Sequence, residues 1–424
     1  MRQGVAMATA SEHHADGTDR RLLLPGAVGT GLAATVGAGL FVVLAPAAAT
    51  AGDHLVWAVL LAGALAVANA ASSLRLVAAG RPRPGTHAPV RDRLGVPWGH
   101  LAGWAHVVAS IAACAALAQT MGLHVLPDWS KVFAAVAVVA ALGLHLQGID
   151  RSARGEQVVA LLVAVVLVVF VTILLTTPPV LTDAPRDPEG AGGPLGVVSA
   201  AGFVVFALTG HQRLVDLRDR VSDPARTVPR AIALSLGIVI ALHVLVTVAL
   251  TRTLGTGWLA AREAPLAEAA EISAWPWLGP VVRIAAVLAA GGVMMSLLLS
   301  AAGEVALMAR DRHLPTSLAT RVGPSLVPRR AVVVVAALTL ASVVLVDVRQ
   351  AIAFASSCVL VHFALVHASA WTLDRRWTRR VVPVLGVTGC LVVAVLLPWQ
   401  SVVAAALVLL LGATIGWVRH TTRE

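Results

Sequence analysis

This sequence is short of charge and of aromatic residues, and it has no tyrosine. Charged residues make up 13% of its 424 positions and Phe, Trp and Tyr together 4%. An ordinary soluble domain is about a quarter charged, so the charge deficit alone excludes one. Only three cysteines are present, Cys114, Cys358 and Cys390, each inside an apolar run. There a free thiol behaves as a small hydrophobe, and no disulfide framework is implied. The sequence has no His-Glu-x-x-His, no Gly-x-Ser-x-Gly and no paired acids within an apolar run, so the usual signatures of a membrane-embedded enzyme are missing. No enzymatic activity, metal or cofactor is expected. His13 and His14 lack a Cys or carboxylate cluster around them and read as part of a polar tail. No apolar core precedes Leu22, so residues 1–21 are expected to be a cytosolic tail and not a signal peptide.

What the chain has in abundance is apolar length. Hydrophobic residues are 58% of it, and runs of about 20 recur, each able to cross a hydrocarbon core of roughly 30 Å. Hydropathy predicts an all-α polytopic membrane protein with about twelve spans. They lie near 22–50, 55–79, 98–122, 131–147, 156–177, 196–211, 230–251, 279–308, 330–346, 350–372, 380–397 and 399–418. The formal net charge of +10 could suggest nucleic acid, but its placement argues otherwise. With the N-terminus inside, 26 of the 32 Lys and Arg residues fall at the inner ends, leaving Lys131, Arg186, Arg252, Arg262, Arg283 and Arg349. This is the positive-inside pattern; it puts both termini, including residues 419–424, in the cytoplasm of a plasma-membrane protein. No nucleic-acid partner is expected. Trp57, Trp98, Trp129, Trp275, Trp277, Trp371, Trp377, Trp399 and Trp417 fall near span ends or in loops, as anchors at the bilayer interface do.

Two spans break the pattern of good helix formers. The first contains GTGLAATVGAGLF, with Gly29, Gly31, Gly37 and Gly39, followed by Pro46. The sixth contains Gly202 and Gly210 in AAGFVVFALTGHQRLV and turns polar at once. Each glycine weakens a helix by about 1 kcal/mol against alanine. In a single span, close helix packing of the GxxxG kind would explain them. Two such spans at corresponding positions of two five-helix halves point to a transport site at the bilayer midplane. Freed amides there can hold a carboxylate, and freed carbonyls an ammonium. A nucleotide-binding glycine loop is not met, because the spacing is wrong and no strand precedes it.

At these residues the chain resembles the amino acid–polyamine–organocation (APC) permeases, whose first helix carries a pattern close to G-x-x-x-G-[SA]-G-[IV]-F. Gly37, Ala38, Gly39 and Phe41 occupy its core. GIDRSARGEQVV (148–159), FALTGHQRLVDLRDRVSDPARTVPRAI (206–232), APLAEAAEISAWPWLG (264–279) and MARDRHLP (308–315) are similar to later family segments, in order, over about residues 25–375. The resemblance implies a LeuT-like fold. Residues 22–178 and 196–372 would be inverted five-helix repeats, with 380–418 as two additional helices. It also implies alternating-access transport of an amino acid or amine. Carried over, Gly37, Ala38 and Gly39 would offer amides to the substrate carboxylate. Phe206, Ala207 and Thr209, beside Gly210, would offer carbonyls and a hydroxyl to the amino group. Phe206 would also be an aromatic gate, with plain core or lipid packing as its alternative.

The departures bear on coupling. The acid expected after the sixth-helix glycine is Gln212, behind His211; the helix-five lysine of some proton-coupled relatives is Val163; an arginine common in helix eight is Gly303. The second helix lacks the acid and tyrosine common at its end. Buried ionisable residues in spans are functional candidates by default, here His106, His211, His243, Glu304, His362 and His367. His211 could carry a proton or contact substrate, or simply begin the inner loop. Glu304 is expected to pair with Arg310 or another inner arginine. Sodium would need oxygen ligands, and Ser296 and Ser300 are one turn apart rather than adjacent. Proton coupling or exchange of a counter-substrate therefore ranks above sodium. No carboxylate lies at depth on helices one, six or ten, which favours a neutral substrate. A transporter-like receptor that binds without flux is the alternative.

Overall fold

The computed structural model describes residues 22–36, 39–79, 85–148, 153–179, 192–216, 221–319 and 327–421. Among the described residues there is no extended strand; Leu22 and Val221 make one isolated bridge. Ten helical stretches among the described residues are long and apolar enough to cross a membrane, so the chain is an integral membrane protein.

The first expected span is not one rod. It divides into α1 (Leu24–Thr35) and α2 (Leu40–Ala51). Gly52, at φ 53°, then turns the chain into α3 (Leu55–Ala79). Prolines in the first turn open α4 (Ala88–Leu94) and α5 (Val96–Val125), where a missing N–H leaves no intrahelical bond unmade. Gly95 joins these two helices at φ 96°. Next come α6 (Ser130–Leu146), α7 (Ala153–Thr176) and α8 (Gly193–Ala207). The expected sixth span therefore stops short at Ala207. A single 3₁₀ turn over Thr209–His211 leads into the short α9 (Gln212–Asp216). Then follow α10 (Pro224–Leu254), the short α11 (Thr256–Ala260) and α12 (Pro265–Glu271), and α13 (Leu278–Arg310). The last four are α14 (Arg329–Leu345), α15 (Val348–Trp371), α16 (Trp377–Val395) and α17 (Trp399–Thr421). An Asp347–Gln350 capping box opens α15, satisfying amides that a helix start leaves free.

Burial separates core helices from peripheral ones. Within their apolar windows α5 is 83% and α15 78% buried, against 22–28% for α6, α16 and α17. The alanines of α5, among them Ala105, Ala112, Ala115 and Ala116, are buried. Small side chains let neighbouring backbones approach closely where no hydrophobic force separates helix from lipid. Outward faces carry apolar residues such as Val136, Leu161 and Leu385. The nine tryptophans assigned to span ends and loops are all exposed, whereas Trp258 is buried and Trp104 donates its Nε1–H to Val408 O at 2.9 Å.

Contacts between helix ends define one basic end of the bundle. There Gln157 of α7 reaches Gly26 O of α1 at 2.9 Å, and Ser222 N–H, ahead of α10, donates to Leu22 O at 2.9 Å. His100 of α5 meets Gly412 O of α17 at 2.9 Å, and Arg75 of α3 pairs with Asp374 after α15 at 2.6 Å. The hydrogen bond from Arg75 holds the half-buried Asp374 carboxyl below its ordinary pKa. At the opposite end, Lys131 pairs with Asp347 (3.2 Å), Arg262 with Glu268 (3.4 Å) and Arg283 with Glu271 (2.9 Å). Arg186 lies outside the described residues.

Candidate functional site

The two interrupted helices face each other. Beyond Thr35, Val36 N–H still donates to Leu32 O at 2.7 Å, and helix resumes where Gly39 O accepts from Val42 and Val43 N–H at 3.1 and 2.9 Å. Gly37 and Ala38 lie outside the described residues. A Cβ on Gly39 would overlap Cα and Cβ of Ala207, where α8 ends; one on Gly210 would overlap Ala34 O and Thr35 Oγ1. Each break thus needs a glycine so that the other break's backbone can approach. Thr209 Oγ1 takes up main chain freed by the second break, donating to Phe206 O (3.1 Å), while Thr35 Oγ1 donates to Gly31 O in the last turn of α1 (2.7 Å).

A cavity of about 170 Å³ begins at this meeting point. Thr35, Gly39, Phe206, Ala207, Thr209 and Gly210 line it, with Gln212, Ser296 and Ser300 further along. An apolar protein cavity of about 150 Å³ holds benzene, so this one admits a molecule of amino-acid size. Its remaining wall comes from α5, α7, α13 and α15, largely through Ala, Val and Leu, with Phe363 from α15. Phe206 is half-buried against the cavity.

Sequence reasoning missed the cavity's carboxylate. Glu156, in the first turn of α7, lines the cavity and accepts from Arg213 of α9 at 2.9 Å and from Ser296 Oγ at 2.9 Å. Its position within SARGEQVV placed it at a span boundary, where acids are ordinary. Only the inward lean of α7 against α9 and α13 brings it into the site. Ser296 therefore serves the Glu156–Arg213 pair, while Ser300 stands exposed on the cavity wall.

The other ionisable candidates divide by place. His106 lines the cavity. His211 does not; its Nδ1 bonds Leu208 O at 3.1 Å and its ring stacks on Phe363 at 5.6 Å. It is buried behind the cavity wall, neither in the substrate space nor in an open loop. His243 is buried within α10, with Nδ1 on Val239 O at 2.8 Å. His367 is fixed structurally, between Ser72 Oγ (2.8 Å) and Asn69 Oδ1 (2.7 Å).

Glu304 corrects an expectation. Its partner is not Arg310 but His87, just before α4: His87 Nδ1 lies 2.6 Å from Glu304 Oε1. The amides of Thr86 and His87 donate to the same carboxylate at 3.0 and 3.1 Å. The reason lies in how α13 ends. MARDRHLP forms a Schellman close, with His313 N–H on Met308 O (2.8 Å), Arg312 N–H on Ala309 O (3.0 Å) and Arg312 at φ 60°. That turn brings Asp311 to 3.0 Å from His87 Nε2 and into contact with Arg91. Carboxylates only accept, so both ring nitrogens donate and His87 is an imidazolium. Burial works against that charge, yet Glu304 and then Asp311 hold its pKa above the ordinary value. Burial likewise resists the Asp311 carboxylate, but His87 and Arg91 hold its pKa low. Neighbouring His313 is pushed down to about 4 by burial and by the charges of His100 and His87. Among the described residues no group of three or more His, Cys, Asp or Glu is disposed to hold a metal.

Comparison with known proteins agrees with this architecture. The family model described as "Amino acid permease" matches residues 26–422. An uncharacterized transporter of Mycobacterium tuberculosis is 42% identical over 405 residues, 95% of this chain and 91% of its own length. A branched-chain amino acid permease of Bacillus subtilis is 26% identical over 313 residues, 68% of this chain and 66% of its own. A vacuolar cationic amino acid transporter of Arabidopsis thaliana is 24% identical over 392 residues, covering 85% and 61%.

Proposed function

The chain belongs to the amino acid permease family, a family of transporters, and from that premise we propose that it carries an amino acid or related amine by alternating access. In this reading it crosses the plasma membrane twelve times with both termini cytoplasmic. Residues 22–178 and 196–372 are inverted LeuT-like repeats, and 380–418 the two added helices. The observation that carries the proposal is the pair of helix breaks, in contact at Gly39–Ala207 and Gly210–Ala34, at the head of an amino-acid-sized cavity.

Substrate roles follow from the chemistry of the breaks. The amides of Gly37, Ala38 and Gly39, which precede α2 in the sequence, receive the α-carboxylate, because helix N-termini carry free N–H groups and positive potential. Carbonyls of Phe206 and Ala207 and the Thr209 hydroxyl receive the α-ammonium, and Phe206 covers the bound molecule. The Glu156–Arg213 pair cancels its own charge inside the cavity. That favours a neutral side chain, nearer in kind to the substrate named for the Bacillus relative than to that of the Arabidopsis one. Ser296 is engaged by Glu156, so proton coupling or exchange is preferred over sodium.

Uptake and exchange of radiolabelled amino acids in proteoliposomes tests the reading. Flux that saturates and is competed by unlabelled neutral amino acids is expected. Binding without flux under proton, sodium or counter-substrate gradients would make the protein a substrate receptor instead.

A further inference from the structure

Among the described residues three ionisable side chains line the cavity: His106, Glu156 and Arg213. Arginine keeps its proton throughout the accessible pH range. Glu156 is occupied by Arg213 at 2.9 Å and by Ser296 at 2.9 Å, both donors to a carboxylate. His106 stands apart from that pair, and its Nε2 is buried with no hydrogen-bond partner among the described residues.

His106 has a second imidazole behind it. The His362 ring, on α15, lies 5.3 Å away at 49°. His362 is 1% exposed and its Nδ1 meets Ala102 O at 3.0 Å. A carbonyl cannot donate, so Nδ1 carries the hydrogen and Nε2 keeps a lone pair, also buried without a partner among the described residues. A ring that lines the cavity, its Nε2 buried, is thus backed by a second imidazole whose Nε2 faces no donor. The charged and titratable groups around His106 are His362 on α15, Glu304 on α13 with its partner His87, and the Glu156–Arg213 pair across the cavity on α7 and α9. Glu304 acts on His106 through its charge.

We propose that His106, backed by His362, binds the proton whose movement is coupled to substrate transport. The inference rests on the permease reading and gives its coupling step an address. A coupling proton needs a base in contact with the space the substrate occupies, so that the proton can enter from cavity water and its charge is felt by the occupant. His106 is half-buried and lines that space, so its ring meets the requirement although Nε2 itself is covered. His211, His243 and His124 also have buried, unpartnered Nε2 atoms, but none of them lines the cavity. The Glu304 carboxylate behind it offsets part of what burial costs a positive charge at His106. Substrate then meets one of two cavities that differ by a unit charge, which is a differential interaction able to bias alternating states.

The test uses proteoliposomes holding the full chain and a trapped pH dye, given tritiated leucine with or without an inside-alkaline gradient of one pH unit. With one proton per leucine, the wild type reaches about tenfold more label with the gradient than without it, and the dye reports proton entry. In His106→Gln the two plateaus become equal and the initial rate loses its rise with acidity. A ratio still near ten in that variant overturns the assignment. A wild type that exchanges leucine yet ignores the gradient also overturns it, while leaving the permease reading intact. A wild type that neither accumulates nor exchanges leucine or any other amino acid sinks the permease reading, and this inference with it. If His106→Gln is not monodisperse in detergent, His362→Gln carries the test. Loss of the base behind His106 moves the midpoint of the pH–rate profile by about half a unit or more; an unmoved midpoint overturns the assignment.

Discussion

The His87–Glu304 contact makes a quantitative test of how the connection before α4 is held. Replacing His87 by leucine keeps side-chain bulk and removes the imidazolium, leaving Glu304, 4% exposed, with a buried charge. Breaking one side of a buried ion pair costs about 3–5 kcal/mol. Here the two main-chain amides of residues 86 and 87, at 3.0 and 3.1 Å, survive the substitution, so the loss belongs at the low end, about 3 kcal/mol. Removing both charges is cheaper than removing one. The double variant His87→Leu/Glu304→Leu should therefore recover about 2 kcal/mol relative to His87→Leu alone. Tryptophan-monitored denaturation of the purified protein in detergent reads these differences. Their pH dependence has a definite sign. The His87 pKa is raised on folding, so its contribution is complete below the unfolded value of about 6.5 and disappears as pH rises through the folded value. The gap between wild type and His87→Leu should narrow as pH rises above the unfolded value of about 6.5. A constant gap, or single variants that simply add, would refute the imidazolium latch.

Three further outcomes follow from other contacts. Gly39→Leu drives a side chain into Ala207 and separates the two breaks; overpacking of about 1–3 kcal/mol should remove leucine binding in a scintillation assay while size-exclusion behaviour is kept, and unchanged affinity would return Gly39 to plain packing. Glu156→Gln leaves Arg213, whose side chain is 32% exposed, as a net positive charge in the cavity. Competition against leucine uptake should shift towards glutamate and away from arginine, whereas an unchanged competitor order would remove the pair from substrate selection. Arg312→Gly relieves a left-handed residue at the close of α13 and should stabilise the protein by about 0.5–1 kcal/mol, read as a higher melting temperature; a lower one would show that the arginine side chain contributes more than its backbone costs.

Much of this was legible in one dimension because the bilayer imposes one-dimensional rules. A span must be long and apolar, cations collect at one end, and tryptophans sit at the boundaries. The break near Gly39 was readable for the same reason, since glycine and lipid are a poor combination unless backbone is needed there. Glu156 was not readable, because an acid in the first turn of a helix is ordinary until α9 and α13 are known to lean on it. Glu304 was misassigned for a related reason. Counting residues along α13 finds arginines near it, but the partner that reaches it is 217 positions away.

The membrane-spanning class, the basic end and the two places where helix gives way to exposed backbone can all be read along one dimension. All follow from local composition against a solvent that varies along one axis. Tertiary structure alone decided that the breaks touch at Gly39 and Ala207, and that Glu156 rather than Glu304 enters the cavity. It alone set His106 on the cavity wall and His211 behind it. Those facts depend on the rotation and tilt of each helix about its axis. These are set by which small residues let which neighbours approach, and no periodicity within a single span encodes them.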